Sequence, residues 1–226
     1  LDTYQNLKVN TGMDNDNILI VGMSPTSGDF KDRDYARSIA LQDMAALRNL
    51  PGVDAVTQLN QLPIQRGGMN GNVYDLDDPE IELTNSSLRY VPVMTVNPDV
   101  SATLGLELLE GRHLDASDRW LAENREQAPN VVISQSLKQA LYGEGSALGQ
   151  ETNRGIVVGV VKDILFHPHT SPERQHALYI NGIEQYIQIG RYYAIKVAPG
   201  QMDFVREQVR DTILNVEPQR DIWVVK

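Results

Sequence analysis

Cysteine is absent from the 226 residues. That removes thiolate metal sites, cysteine nucleophiles and disulfide staples together. It does not fix a compartment, because a reducing cytoplasm and an extracytoplasmic bacterial domain that avoids disulfides both fit it. Positive charge is in deficit: 20 Lys and Arg stand against 30 Asp and Glu, a net charge of −10. This argues against nucleic acid or anionic lipid headgroups as the main partner. No apolar run approaches the ~20 residues of a membrane-spanning helix. No leader peptide is visible, and a chain that opens on Leu1 is expected to be a piece of something longer. Two catalytic signatures are also missing. There is no Gly-x-x-x-x-Gly-Lys-Ser/Thr phosphate loop, so ATP hydrolysis is not placed here, and no Gly-x-Ser-x-Gly nucleophile elbow. What remains is an ordinary globular composition, 41% hydrophobic and 22% charged, with enough chain for one large domain or two small ones.

The local patterns alternate strands and helices. Asp14-Asn15-Asp16-Asn17 resembles the start of a calcium loop, but Ile18 and Leu19 break the ligand spacing and the glycine is missing, which leaves a solvated entry loop. Residues 18–23 form an apolar run that reads as a buried strand. Asp32 or Asp34 caps the next helix, whose apolar stripe is Ala36, Ile39, Ala40, Met44, Leu47 and Leu50. Asp43 falls inside that stripe and is read as paired or at its edge, not as catalytic. Pro51-Gly52 ends the helix and residues 53–59 form a second strand. Residues 65–72 carry Gly67, Gly68 and Gly71 without the ending of a phosphate loop, so they read as a surface loop. The acidic stretch 75–82 reads as a solvated face. Residues 88–96 form a strand in which Pro92 marks an edge or irregularity.

Asn97 as N-cap and Pro98 in the first helical position predict a short helix closed by a left-handed Gly105. Ser134 predicts the cap of a helix that carries Leu137, Ala140 and Leu141 and ends at Gly143. Residues 156–161 are the most strand-like run in the chain. His167-Pro168-His169 with His176 offers the residue types of a zinc set. Pro168 spoils regular geometry and no carboxylate accompanies the set at helix spacing, so no metal ligand is assigned. Asn181-Gly182 predicts a type I′ hairpin between residues 178–180 and 183–189. A strand at 192–197, a helix with Met202, Val205, Val209, Thr212, Ile213 and Val216 on one face, and a strand at 222–225 repeat the pattern of residues 18–59. The two units are expected to complete one ferredoxin-like layer, with the middle of the chain inserted between them.

The central block carries a resemblance. Val96-Asn97-Pro98-Asp99, Gly105-Leu106, Leu109-Glu110-Gly111-Arg112 and Asp118 are followed by Val131-Val132-Ile133-Ser134-Gln135-Ser136-Leu137, Leu148-Gly149-Gln150, and Ile156-Val157-Val158-Gly159-Val160-Val161-Lys162-Asp163. Tyr193-Ala194-Ile195-Lys196-Val197 and the helix after it close the series. In this order the pieces resemble the extracytoplasmic domain of MacB-like, FtsX-family ABC transporter permeases, over residues 91–226 by motif and over the first 90 by pattern.

The resemblance implies an α+β fold of two subdomains. One is a porter-like, ferredoxin-like βαβ part from residues 1–96 plus 186–226; the other is a small α/β subdomain inserted at 97–185. It implies a domain held between two membrane helices of a permease, so that Leu1 and Lys226 lie close together. It also implies a permease homodimer, a cytoplasmic ABC ATPase reached through the membrane part, a periplasmic adaptor in several members, and placement outside the inner membrane. The function it implies is transmission of ATP-driven motion for efflux or export, with no enzymatic step, cofactor or metal in this domain. A free-standing extracytoplasmic binding or sensor module is the alternative. Gly105, Gly111, Arg112, Asp118, Gly149, Gly159 and Asp163 carry the motif and are read as structural, with Arg112 able to fork onto a carboxylate such as Asp118. An insert at 120–129 and the Gly-rich loop depart from the family pattern.

Overall fold

The computed structural model describes residues 11–63, 68–120, 127–166, 171–182 and 191–225. The strands are β1 (Ile18–Pro25), β2 (Val53–Leu59), β3 (Asn70–Gly71), β4 (Val91–Val96), β5 (Leu108–Gly111), β6 (Asn130–Ser134), β7 (Glu151–Thr152), β8 (Gly155–Val161), β9 (Leu178–Asn181), β10 (Arg191–Val197) and β11 (Arg220–Val225). The α-helices are α1 (Arg33–Arg48), α2 (Ile81–Thr84), α3 (Val100–Leu104), α4 (Gln135–Tyr142) and α5 (Met202–Val216). The fold is α+β. A continuous path of hydrogen-bonded strands runs β11-β1-β10-β2-β4-β9-β6-β8-β5, with β3 on β4 and β7 on β8.

The first four strands of that path come from the two ends of the chain and are all antiparallel to their neighbours. Each end supplies a strand, a helix and a strand: β1-α1-β2 and β10-α5-β11. Their interleaving brings Ile20 opposite Val225. Leu1 and Lys226 lie outside the described residues. Helices α1 and α5 pack on one face of this layer. Asp32 caps α1, its side chain accepting from the Tyr35 N–H at 2.9 Å.

Burial on both faces explains why β1 reads as a continuous apolar run instead of an alternating one. Leu19, Val21 and Met23 point toward α1 and α5, where they meet Ala36, Met44, Leu47, Val205, Val209 and Ile213. Ile18 and Ile20 face the opposite side, with Leu59, Met94, Leu104, Tyr179 and Ala194. That second core joins residues from the chain ends to residues from the middle. The third core lies in the middle of the chain, between α4 and the strands β4, β6, β8 and β9: Val91, Val131, Ile133, Leu137, Val160 and Leu178.

Several local expectations shift. Helix α3 starts at Val100, with Asp99 as an N-cap whose side chain accepts from Arg48 and Asn97 and makes no capping bond to the helix. Asn97 does not cap it. Its Oδ1 accepts from the Gln58 N–H at 2.6 Å and the Thr57 hydroxyl at 2.8 Å, so the carboxamide joins β2 to the segment after β4. The strand expected from residue 88 begins at Val91, after a 3-10 turn over Ser86–Tyr90. In the Gly-rich loop, Asn70–Gly71 pairs with Val91 and Pro92. The hairpin expected at Asn181-Gly182 has its second arm outside the described residues; β9 itself pairs with β4 and β6.

Candidate functional site

The seven motif residues are grouped around β8, apart from Gly105. That residue ends α3 in the left-handed region, φ +72°, with open space where a Cβ would stand. Gly111 and Gly159 face each other across the β5–β8 pair. A Cβ on Gly111 would lie 2.3 Å from the Val158 carbonyl oxygen, and one on Gly159 would lie 2.0 Å from the Arg112 carbonyl oxygen. Two backbones therefore approach where neither tolerates a side chain. The next residue, Arg112, donates its N–H to the Val158 carbonyl at 3.0 Å and forks its guanidinium onto both oxygens of Asp118, at 2.6 and 2.8 Å. Asp118 also accepts from the Asp115 N–H at 2.8 Å and from Asn130 Nδ2 at 2.7 Å. Asp115 and Asp118 form a reciprocal capping box on the 3-10 turn Ala116–Asp118.

The Asp118 side chain is 1% exposed. The Arg112 hydrogen bonds hold its carboxyl at about 2, against burial. A depressed carboxylate contributes stability above its unfolded value that disappears as pH falls through the folded one. Asp118→Asn is therefore expected to cost about 2 kcal/mol at pH 7, because each tenfold change in acidity on folding is worth ~1.4 kcal/mol. The loss should shrink as pH drops from 4 toward 2, and urea melts at pH 7 and pH 3 measure both. Equal stability of parent and variant at pH 7 would contradict this role.

At the other end of β8, Asp163 accepts the Ser136 N–H at 2.9 Å and so caps α4 from outside. Ser134 caps the same helix through its hydroxyl. Burial raises the Asp163 carboxyl, against the hydrogen bonds from Ser136 and Ser134. Gly149, at φ +81°, donates its N–H to the Val157 carbonyl at 2.8 Å and turns the chain back alongside β8. Around β8, Arg112 thus bonds the β8 backbone from the end of β5, and Asp163 bonds the backbone of α4.

Beside α4 the structure assembles residue types that serve nucleophilic catalysis. His176 Nδ1 is 3.1 Å from Ser136 Oγ and Nε2 is 3.0 Å from Ser87 Oγ. These side chains border an open pocket of about 250 Å³. The geometry is not that of a triad. Asp163 bonds the serine backbone, and both imidazole nitrogens are taken by serines, which leaves no ring nitrogen for a carboxylate to orient. Burial lowers the imidazole to about 4, which makes it a weak base. What it does in this fold is pin α4 to the turn before β4.

That environment has a pH consequence. Between about 6.5 and 4 the unfolded chain takes up a proton at this position that the folded chain refuses, so stability falls as pH is lowered through that window. His176→Gln keeps the hydrogen-bonding capacity and should flatten the pH dependence of the melting temperature across the same range. A slope of the same size in the variant would assign the effect elsewhere.

His167 and His169 lie outside the described residues. Among the described residues, no three His, Asp or Glu side chains gather as a metal-ligand set, and no helix is long and apolar enough to cross a membrane.

A further cluster is only half legible in the sequence. Asp43 is fully buried in α1. Arg220, at the start of β11, donates to its two oxygens at 2.6 and 2.7 Å, and the Tyr193 hydroxyl of β10 adds a third bond at 2.6 Å. Arg220 also donates Nε to the Glu217 carbonyl at 2.8 Å and an Nη to that of Ile213. One carboxylate therefore ties the helix from one end of the chain to two strands from the other end.

No curated protein matches this chain. Among solved structures, it is similar to the periplasmic region of MacB from Actinobacillus actinomycetemcomitans, at 17% identity and a TM-score of 0.59, over 97% of this chain and 92% of that one. It is also similar to the extracellular domain of YknZ, a noncanonic ABC-type transporter from Gram-positive bacteria. There the identity is 13% and the TM-score 0.53, over 92% of this chain and 100% of that one. Both share the fold. The model of the MacB-like periplasmic core domain matches residues 3–212, which take in every motif residue and most of the end-derived layer, and the chain belongs to that family.

Proposed function

We propose that this chain is the extracytoplasmic domain of an ABC transporter permease that carries out no chemistry itself. It passes motion driven by a cytoplasmic ATPase to a substrate or adaptor outside the inner membrane, in a permease homodimer. The observation that carries the reading is the antiparallel pairing of β1 with β11, which sets Ile20 beside Val225. A segment whose two ends meet in adjacent strands suits insertion between two neighbouring membrane helices, which then move it as a unit. The buried Asp43–Arg220 pair and the strand path continuing from β2 into β4 supply stiffness along that route. In this reading residues 1–96 and 186–226 form the porter-like stem and residues 97–185 the inserted subdomain.

The absence of cysteine from this domain makes a direct test simple. In the full-length protein with its ATPase, any cysteine outside the domain is first replaced by serine. A single Glu144→Cys on the exposed loop after α4 then takes a spin label without background. Binding of ATP is expected to shift the distance between the two labels of a dimer. Flexible Gly-Ser insertions before Asn15 and after Val225 should abolish the shift while hydrolysis continues. A label distance indifferent to nucleotide rejects the coupling, and a single unpaired label rejects the dimer.

A further inference from the structure

Along the flank of α1 runs a cleft of about 360 Å³, closed on its far side by residues 97–99 and by the turn at Ala116 and Arg119. Here a helix of the end-derived layer meets the middle of the chain. The apolar surface of the cleft comes from Ala40, Met44, Pro98 and from Leu41, which is 56% exposed.

The charges beside it are already engaged. Arg48 pairs with Asp99, and Arg37 and Arg119 have partners of their own. The two asparagines that line it are engaged as well. Asn97 Oδ1 accepts from Thr57 and from the Gln58 N–H, its Nδ2 donates to Asp99, and Asn181 donates to the Asp115 carbonyl. The exception among the described lining residues is Gln58, which reaches the cleft from β2. It is 4% exposed, and its Nε2 is buried without an acceptor. A buried donor left unpaired is destabilising and calls for an explanation.

We propose that this cleft binds a small, uncharged, apolar carbonyl compound, its C=O oxygen accepting from Gln58 Nε2 and its hydrocarbon part lying on Leu41, Met44 and Pro98. An apolar surface with a single convergent polar group matches a ligand of that form. The terminal amide of glutamine turns about a soft torsion, which lets Nε2 meet the ligand's oxygen. A carboxylate or an ammonium fits less well, because it would leave water with no free counter-ion to receive it. A peptide would bring backbone N–H groups to a wall that offers them no acceptor. Binding to this chain alone is independent of the coupling proposed above, and either can fail without the other.

Cyclohexanone and methylenecyclohexane have nearly the same shape, with the carbonyl oxygen of the first replaced by a CH₂ group in the second. Titration of this chain, followed by NMR, is expected to show one saturable site for the ketone and about tenfold weaker binding of the alkene, the worth of satisfying one buried donor. Cyclohexanecarboxylate and cyclohexylammonium should bind more weakly than the ketone. Gln58→Leu should move two readouts in opposite directions. The free chain should melt at a higher temperature, because the unpaired donor is gone, and ketone binding should fall to the level of the alkene. Leu41→Ser, at an exposed position, should weaken both probes alike. No saturable binding, equal binding of ketone and alkene in the parent chain, tighter binding of either ion, or a ketone advantage that survives in Gln58→Leu overturns the proposal. A parent chain that self-associates where Leu41→Ser does not would assign the cleft to a second copy and overturns it as well.

Discussion

Asp43→Ala is expected to cost about 3–5 kcal/mol of unfolding free energy, the usual penalty for stranding one member of a buried ion pair. For a chain of this size each kcal/mol moves the melting temperature by roughly 2–4 °C, so the drop should be on the order of 10 °C. The loss arises because Arg220 is 0% exposed as a side chain and cannot turn to water when its acceptor goes. Tyr193 loses its acceptor at the same time. The complementary experiment removes the whole cluster. Asp43→Leu, Arg220→Met and Tyr193→Phe together should recover most of the loss, since an apolar replacement of similar volume needs no desolvated charge. If the single substitution costs less than about 1 kcal/mol, or the triple variant is no better than the single, the pair does not hold the chain ends together as argued.

This cluster also shows where reading the sequence succeeds and where it stops. The α+β class and the repeated strand-helix-strand pattern at the two ends follow from local periodicity, and local packing preserves them in the fold. Asp43 stands out because a carboxylate inside an apolar helical stripe must be paired or peripheral. Its partner lies 177 residues away, and no local rule connects the two. Asn97 illustrates a different limit. A short carboxamide ahead of a helix is a good cap because it accepts a backbone N–H, but the N–H it accepts belongs to Gln58 on β2. The residue chemistry is legible and the recipient is not.

In the sequence, His176 stands out only as a third imidazole near His167 and His169. What the fold reveals is its burial between two serines. One of these, Ser87, gives no distinctive signal, because a serine in a polar turn is unremarkable on any local rule.

Gly159→Ala is expected to be strongly damaging, at about 3 kcal/mol or more, the upper range of overpacking. A Cβ there would stand 2.0 Å from the Arg112 carbonyl oxygen and 3.3 Å from a methyl of Val132. The first obstacle is backbone and cannot rotate away. Pairing is irregular on both sides of this position: β6 shifts register between Val131 and Val132, and β5 shifts between Leu108 and Glu110. Relief must therefore come from lifting β5 off β8. That movement also withdraws Arg112 from Asp118, so the acid-dependent stability assigned to Asp118 between pH 4 and 2 should diminish in the same variant. Gly105→Ala provides the control. It has the left-handed backbone but open space around it, so only the conformational cost of about 1 kcal/mol applies. Chemical denaturation of the two variants separates close approach from backbone preference. Equal losses would mean that β5 yields without penalty, and Gly111 and Gly159 would then need another explanation for standing face to face.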